Sequence, residues 1–193
     1  EFNYEKETLT GLMFKQVPLY VQTMLRIDSN AAGRCEALPI ALHVSVATTM
    51  QNEGGEHDML QGNHEASGGF GWLSWNGDQA NGYLVDELTN PRLSAHDFVN
   101  AHDSTDTALS IGDYITSLTG VNNSSAVREA MELLMGQTVL IPVYDNVPGN
   151  GAGAAYHVHS FARVRIGDSD LPPGQGGNIN ATLIEWPAED ACP

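Results

Sequence analysis

The pair of histidines in His157-Val158-His159 has the residue type and spacing that most directly predict chemistry. The run from Tyr156 to Ile166 alternates apolar and polar residues, which predicts a strand, and side chains at i and i+2 of a strand project to the same side. Two such imidazoles can bind one transition-metal ion, and zinc would need a third and a fourth ligand. The spacing does not choose among the other candidates, which are His43, His57 and His64. A solvated strand face without a ligand is the alternative that the same pattern allows.

Acidic turns offer a second kind of cation site. Asn76-Gly77-Asp78 and Asp145-Asn146 place oxygen donors on turns, as calcium prefers, although neither has the spacing of an EF-hand loop. Asp, Asn and Gly are also the ordinary residues of turns, which is the alternative interpretation. The candidate metal ligands are therefore His157, His159, Asp78 and Asp145. We expect no cofactor, and calcium bound by these loops is the alternative.

No set of residues in the sequence predicts a catalytic centre. A G-x-S-x-G nucleophile elbow is absent, and Cys35 has a more ordinary use in a disulfide. Close carboxylates occur, but in so acidic a chain their abundance means little; the pairs are Glu53 with Glu56 and Asp168 with Asp170. We predict no catalytic residues, and a secreted hydrolase with an unrecognised carboxylate pair is kept as an alternative.

The two cysteines, Cys35 and Cys192, stand far apart and form no CxxC motif of a zinc or haem site. In an extracellular protein this count predicts a single disulfide that ties the C-terminal tail to the first third of the chain. Two buried or free thiols in a cytosolic protein are the alternative.

The charge of the chain limits its partners. With 8 Lys+Arg against 24 Asp+Glu, the formal net charge is -16, so the surface would repel phosphate backbones and anionic lipids. We expect no nucleic-acid partner. No run approaches the roughly 20 apolar residues that span a bilayer, so we expect no membrane insertion of this chain. The start at Glu1, without Met or a basic-then-apolar signal, leads us to expect a processed or trimmed chain.

Strand patterns outnumber helical ones along the chain. Strands are predicted over 18–28, 40–47, 70–75, 108–117 (broken at Gly112), 138–144, 156–166 and 179–186, and a long loop over 51–69. One or two helical turns are predicted over 83–88, and one full helix over about 124–135, with a serine cap before it and Gly136 after it. Strands without regularly interleaved helices predict a mainly β fold, an antiparallel sheet or β-sandwich with one packed α-helix and long loops.

The predicted strands and helix belong to one β-rich domain over 18–193, preceded by an extension over 1–17. The extension is rich in apolar residues, namely Phe2, Tyr4, Leu9, Leu12, Met13 and Phe14. An arm of this kind could add a strand to the sheet of a neighbouring subunit and so serve assembly. Docking on its own domain is the alternative.

Four segments, taken in order, resemble a bacterial family. They are Leu38-Pro39-Ile40-Ala41-Leu42, Gly69-Phe70-Gly71-Trp72-Leu73, Val139-Leu140-Ile141-Pro142-Val143-Tyr144-Asp145, and Tyr156-His157-Val158-His159-Ser160-Phe161-Ala162. Together with Gly151 they resemble the secreted region of TadE/TadG-like, Flp-pilus-associated proteins, from about Cys35 to Trp186. The resemblance implies a structural role in the bacterial envelope or at the cell surface, with no active-site residues. The N-terminal membrane helix typical of that group is missing from this sequence.

Charge, cysteines and resemblance together predict a non-enzymatic extracellular protein of a bacterium. It would be a pilus-associated or filament-forming surface subunit whose partners are other copies of itself or pilus and envelope components. A calcium- or metal-dependent extracellular binding module is the first alternative, and the hydrolase is the second.

Overall fold

The computed structural model describes residues 36–60, 69–120, 122–173 and 177–188. They belong to one of the two units into which the chain divides, Arg34–Pro193, whereas the other unit, Glu1–Gly33, lies outside the described residues. The predicted arm over 1–17 and the predicted strand over 18–28 therefore lie outside them too, as do Cys35 and Cys192.

The described residues form seven strands, three α-helices and one short 3-10 helix at Gly151–Gly153. The strands are β1 (Leu42–His43), β2 (Glu56–Asp58), β3 (Gly69–Ser74), β4 (Tyr114–Thr119), β5 (Thr138–Asn146), β6 (Ala155–Asp170) and β7 (Asn178–Glu185). The helices are α1 (Val44–Glu53), α2 (Asn81–Thr89) and α3 (Ser125–Leu134). The predicted mainly β class is confirmed. Within the described residues, none of these helices combines the length and apolar character that crossing a bilayer requires.

Strand β6 is the centre of the sheet. Along one side it pairs with β5, and along the other it pairs first with β4 and then with β7, all antiparallel. Strand β3 pairs with β4, and β2 pairs with β7, again antiparallel. The one parallel pair of named strands in the described part of the chain joins β1 to β5, so the sheet is mixed.

The segment before β1 closes part of this sheet into a ring. Leu38 N donates to the Leu140 carbonyl of β5 at 2.8 Å, and Ala41 N donates to the Gly71 carbonyl of β3 at 2.8 Å. In the other direction, Leu73 N donates a hydrogen bond to the Pro39 carbonyl at 3.0 Å. Because β3 pairs with β4, β4 with β6 and β6 with β5, the five segments form a small closed barrel.

Two apolar clusters lie on the two sides of the barrel wall. The inner cluster takes residues from every segment of the ring, including Ala37, Ala41, Leu73, Ile115, Leu140, Tyr144, Tyr156 and Val158. The outer cluster packs the three helices on the wall through Ala47, Met50, Leu84, Leu88, Val127, Ala130, Met131 and Leu134. Side chains alternate between the two faces of a strand, so each strand of the wall buries one face in the inner cluster and the other face in the outer cluster.

The strand predicted over 40–47 is wrong beyond His43, where α1 begins. His43 is the N-cap, and its Nδ1 accepts a hydrogen bond from Ser45 N at 3.2 Å. Ala47 and Met50, three residues apart, are buried in the outer cluster. The β-branched Val and Thr residues of this segment favour a strand locally, but the cap and the burial of one helical face outweigh that preference.

The other helical predictions agree with the structure. The helix predicted over 124–135 is α3, where Ser124 Oγ accepts from Val127 N at 3.3 Å. The helical turns predicted over 83–88 are α2. The loop predicted over 51–69 is wrong in part, because α1 runs to Glu53 and β2 covers Glu56–Asp58.

Candidate functional site

Two neighbouring β-bulges mark the end of the β5–β6 ladder. Val143 pairs with Ser160 and Tyr144 with Val158, so His159 has no partner on β5. The next pair joins Asn146 to His157, so Asp145 has no partner on β6. A bulge re-aims the extra side chain and frequently lies beside a functional site.

The bulges bring both predicted histidines onto one predicted carboxylate. His157 Nδ1 lies 2.6 Å from Asp145 Oδ1, and His159 Nδ1 lies 3.4 Å from Asp145 Oδ2. The three side chains are 29%, 48% and 37% exposed in the order His157, His159, Asp145, so the cluster opens to solvent. A histidine that donates through Nδ1 leaves Nε2 as the free ring nitrogen, which orients it for a ligand or a proton.

The same bulges change which face of β6 is buried. The alternation predicts that Tyr156, Val158, Ser160, Ala162, Val164 and Ile166 share one face, and all six are buried. They do not share one face, because Tyr156 and Val158 lie in the inner cluster whereas Ala162, Val164 and Ile166 lie in the outer one. The extra residue at the bulge reverses the alternation.

Aromatic side chains support His157 from the side of β4. The Tyr114 ring lies 5.0 Å from the His157 ring, and His102 stacks on Tyr114 at 3.9 Å. Ala101 N donates to the Tyr114 carbonyl at 2.9 Å, which holds the His102 loop beside β4. Sequence reasoning missed both residues, since they lie 43 and 55 positions before His157 and carry no motif.

The surroundings of Asp145 favour its charged form. Partial burial raises the pKa of Asp145, but the hydrogen bond from His157 and the charges of the two imidazoles lower it, and the net pKa lies below its ordinary value. The cluster is therefore a carboxylate that holds two histidines by charge and hydrogen bonding.

We expect Asp145→Asn to weaken the dependence of stability on acid pH. A depressed folded pKa stabilises the fold above the unfolded value of about 3.8, and that contribution is lost as the pH falls through the folded pKa. Urea unfolding measured through the acid range should show a smaller loss of free energy for the variant than for the wild type. Asp168→Asn, at an exposed position of β6, is the control, and its free energy of unfolding should fall with pH as steeply as that of the wild type. The same dependence of the free energy of unfolding on pH in the wild type and in Asp145→Asn would contradict the prediction.

The predicted set of four metal ligands is not assembled as a set. Asp78 lies in the turn after β3, where its Oδ1 accepts from Ala80 N at 2.8 Å. His43 caps α1, and His57 Nε2 lies 2.8 Å from the Gly54 carbonyl. His64 lies outside the described residues. Across the described ranges, no group of three or more His, Cys, Asp or Glu side chains is arranged to hold a metal ion.

A second polar network, also missed from the sequence, joins α2 to the loop that follows it. The Tyr83 hydroxyl donates to Asp97 Oδ1 at 3.0 Å and accepts from Trp75 N at 3.3 Å. Glu87 Oε2 accepts from the backbone N of Ala95 at 3.3 Å, and Ala95 is the one described non-glycine residue with positive φ, at 65°. Burial raises the pKa of Tyr83, and the nearby negative charges of Glu87 and Asp97 raise it further.

We expect Glu87→Gln to stabilise the protein at neutral pH and to change little in acid. Burial and the charge of Asp97 raise the pKa of Glu87 above its ordinary 4.5 despite the hydrogen bonds that lower it. A raised folded pKa gives stability below the unfolded pKa that is lost as the pH rises through the folded one, and Gln resembles the neutral form. Thermal unfolding at neutral and at acid pH measures the difference. A variant that is less stable than the wild type at neutral pH would contradict this expectation.

A third acidic group organises the loop before β4. Asn100 Nδ2 donates to Asp106 Oδ2 and to Asp113 Oδ1, both at 3.0 Å. Burial raises the pKa of Asp113, whereas hydrogen bonds from Asn100 and Ala108 lower the pKa of Asp106. These contacts hold the loop that carries His102.

The carboxylate pairs noted in the sequence are instead exposed at all four positions, which are Glu53, Glu56, Asp168 and Asp170.

Comparison with known proteins returned no match among family models, curated proteins or solved structures.

Proposed function

We propose that this chain is a non-enzymatic structural subunit of the bacterial cell surface, associated with a pilus or forming a filament. Its partners would be other copies of itself or envelope components, and its place would be outside the cell, with Cys35 and Cys192 joined in a disulfide. The proposal includes membership of the TadE/TadG-like group.

One observation carries the proposal. The four segments of the resemblance are neighbours in the barrel wall: Leu38–Leu42 lies between β5 and β3, and β5 pairs with β6. Their apolar side chains are buried, including Leu38, Ile40, Trp72, Ile141 and Val143. Proteins that share a domain would share the residues that build its scaffold. The position of all four segments in one barrel wall therefore supports the view that the resemblance reflects a similar fold.

Sedimentation velocity of the purified chain over a wide range of concentration tests the assembly. The proposal predicts species that grow with concentration, and immunogold electron microscopy of the source cells should place the protein in surface filaments. A chain that stays monomeric, together with cells whose filaments lack it, would contradict a filament-forming role. Robust turnover in a broad screen of glycan and ester substrates would contradict the non-enzymatic role.

A divalent-metal-binding module is the second candidate, and one contact favours it. His157 and His159 both approach the Asp145 carboxylate, and metal-binding histidines commonly hydrogen-bond a carboxylate through the ring nitrogen that does not bind the metal. This candidate predicts that zinc or calcium raises the melting temperature and that His157→Ala with His159→Ala abolishes the shift that zinc causes, because imidazole binds zinc whereas calcium takes oxygen ligands. His96→Ala, at a half-buried position outside the cluster, is the control. A melting temperature that neither ion nor chelator changes would remove the candidate.

A further inference from the structure

The two histidines at the end of the β5–β6 ladder face Asp145 with the same ring nitrogen. His157 Nδ1 lies 2.6 Å from one carboxylate oxygen, and His159 Nδ1 lies 3.4 Å from the other. An ionised carboxylate can only accept, so it favours the tautomer that carries the proton on Nδ1 and leaves the lone pair on Nε2. At zinc sites, histidines are commonly held by a carboxylate through one ring nitrogen and bind the metal through the other. Both imidazoles therefore present a zinc-binding nitrogen on the side of the ring away from Asp145.

The neighbouring strands hold this pair of imidazoles toward solvent. His157 pairs with Asn146 on β5 and with Tyr114 on β4, and the Tyr114 ring lies 5.0 Å from the imidazole. His159 lies at the bulge and has no partner on β5. Both histidine side chains are partly exposed, so a metal ion can reach them from solvent.

The pair supplies only half of the ligands that zinc requires. A structural zinc site is almost always four-coordinate. In the part of the chain that the structure describes, no three His, Cys, Asp or Glu side chains are arranged to hold a metal ion. The oxygens of Asp145 face the two Nδ1 atoms, so this carboxylate orients the imidazoles and is not a third ligand. Two further ligands must come from elsewhere.

We infer that one zinc ion joins two copies of this chain, each of which contributes His157 and His159. A second copy always carries the missing half, because the pair is the same on every copy, and a twofold axis through the ion brings four imidazoles into a tetrahedral set. Imidazole suits zinc, whereas calcium takes oxygen ligands. This inference rests on the proposed function, because it names a contact through which copies join.

The charge of the chain also favours a cation at this contact. Each copy has a formal net charge of -16, so two copies repel one another. Each copy also brings the carboxylate of Asp145 to the contact. A divalent ion between the copies offsets part of this repulsion where they meet.

Sedimentation velocity of the full chain, in zinc chloride and in EDTA, tests the bridge. Zinc should double the mass of the species seen in EDTA, and titration calorimetry should give one zinc for two chains. His157→Ala with His159→Ala should abolish the association that zinc causes. His57→Ala with His96→Ala is the matched control, because it removes two half-buried imidazoles that lie outside the cluster, and association should match that of the wild type. Calcium chloride at the same concentration should not change the mass.

Asp145→Asn tests the positioning role of the carboxylate. Removing the hydrogen-bond partner of a metal-binding histidine typically lowers metal affinity about ten- to a hundredfold. Half-maximal association of this variant should therefore need at least about tenfold more zinc than that of the wild type. Asp168→Asn removes an exposed carboxylate elsewhere on β6 and should need the same zinc concentration as the wild type. Circular dichroism confirms that each variant is folded.

The outcomes separate this inference from the proposed function. Association that depends on zinc, is lost in His157→Ala/His159→Ala and is kept in the controls establishes the bridge. A chain that binds one zinc and stays monomeric overturns the bridge, since the other ligands then come from the same chain or from water. A chain that assembles equally in zinc and in EDTA also overturns it but leaves the structural role standing. A chain that is monomeric in both, in cells whose filaments lack it, overturns the bridge and the filament-forming role together.

Discussion

Trp72→Ala and Trp75→Ala should each lower the free energy of unfolding by about 3 to 5 kcal/mol, the range for removing a buried indole. Trp72 is 1% exposed and packs in the outer cluster, whereas Trp75 is fully buried in the inner one. The two tryptophans belong to one short aromatic run at β3, so the two variants test the two sides of the same barrel wall. Urea unfolding followed by circular dichroism measures both losses without depending on tryptophan fluorescence.

The form of the transition is as informative as its midpoint. Because the two clusters share the barrel wall, each variant should unfold in one step over the described domain, with the two losses similar in size. Leu93→Ala, at a position 62% exposed, is the control and should change the stability by no more than about 0.5 kcal/mol. If one of the tryptophan variants showed a separate early unfolding transition, the two clusters would not unfold together, and the idea that they share one barrel wall would be contradicted.

Ala41→Pro should destabilise the protein by about 3 kcal/mol, because proline removes the N–H that closes the ring. Ala41 N donates to the Gly71 carbonyl at 2.8 Å, and Ala41 is fully buried, so that carbonyl would lose its partner away from water. Chemical denaturation gives the difference in free energy of unfolding.

Ala41→Gly is the control for this substitution. It keeps the N–H and should cost only about 1 kcal/mol, from the added freedom of the unfolded backbone and one lost methyl group. If the proline and glycine variants were equally stable, the bond from Ala41 to Gly71 would contribute nothing, and the closure of the ring would need another explanation.

The parts of the fold that could be predicted are those that depend on neighbours in sequence. The helix α3 has its cap at Ser124 and buried residues at helical spacing, and both signals are local. The β6 alternation is equally local, and it correctly predicts a strand, but it places Phe161 on the face opposite Tyr156 and Val158, whereas all three are buried in the inner cluster. The strand predicted through Val44 and Val46 is wrong for the same reason, because β-branched composition is a local preference that packing overrides.

The candidate site could be predicted only in part. The spacing of His157 and His159 places them together, and Asp145 was named among the candidate ligands, but no pattern in the sequence joins the three. Their meeting depends on two bulges, and a bulge depends on the register between two strands. Tyr114, His102 and the Tyr83–Asp97 network depend likewise on contacts between distant segments.

By itself, then, the sequence determined the mainly β class, the position of α3, the acidic surface and the short list of histidines and acids that could carry chemistry. Those properties follow from composition and from periods of two or 3.6 residues, which any short stretch of chain expresses. Only the tertiary structure shows that Leu38–Leu42 closes a barrel and that two bulges gather Asp145, His157 and His159. Such pairings join residues far apart along the chain, and many alternative pairings satisfy the same local pattern until the core is packed.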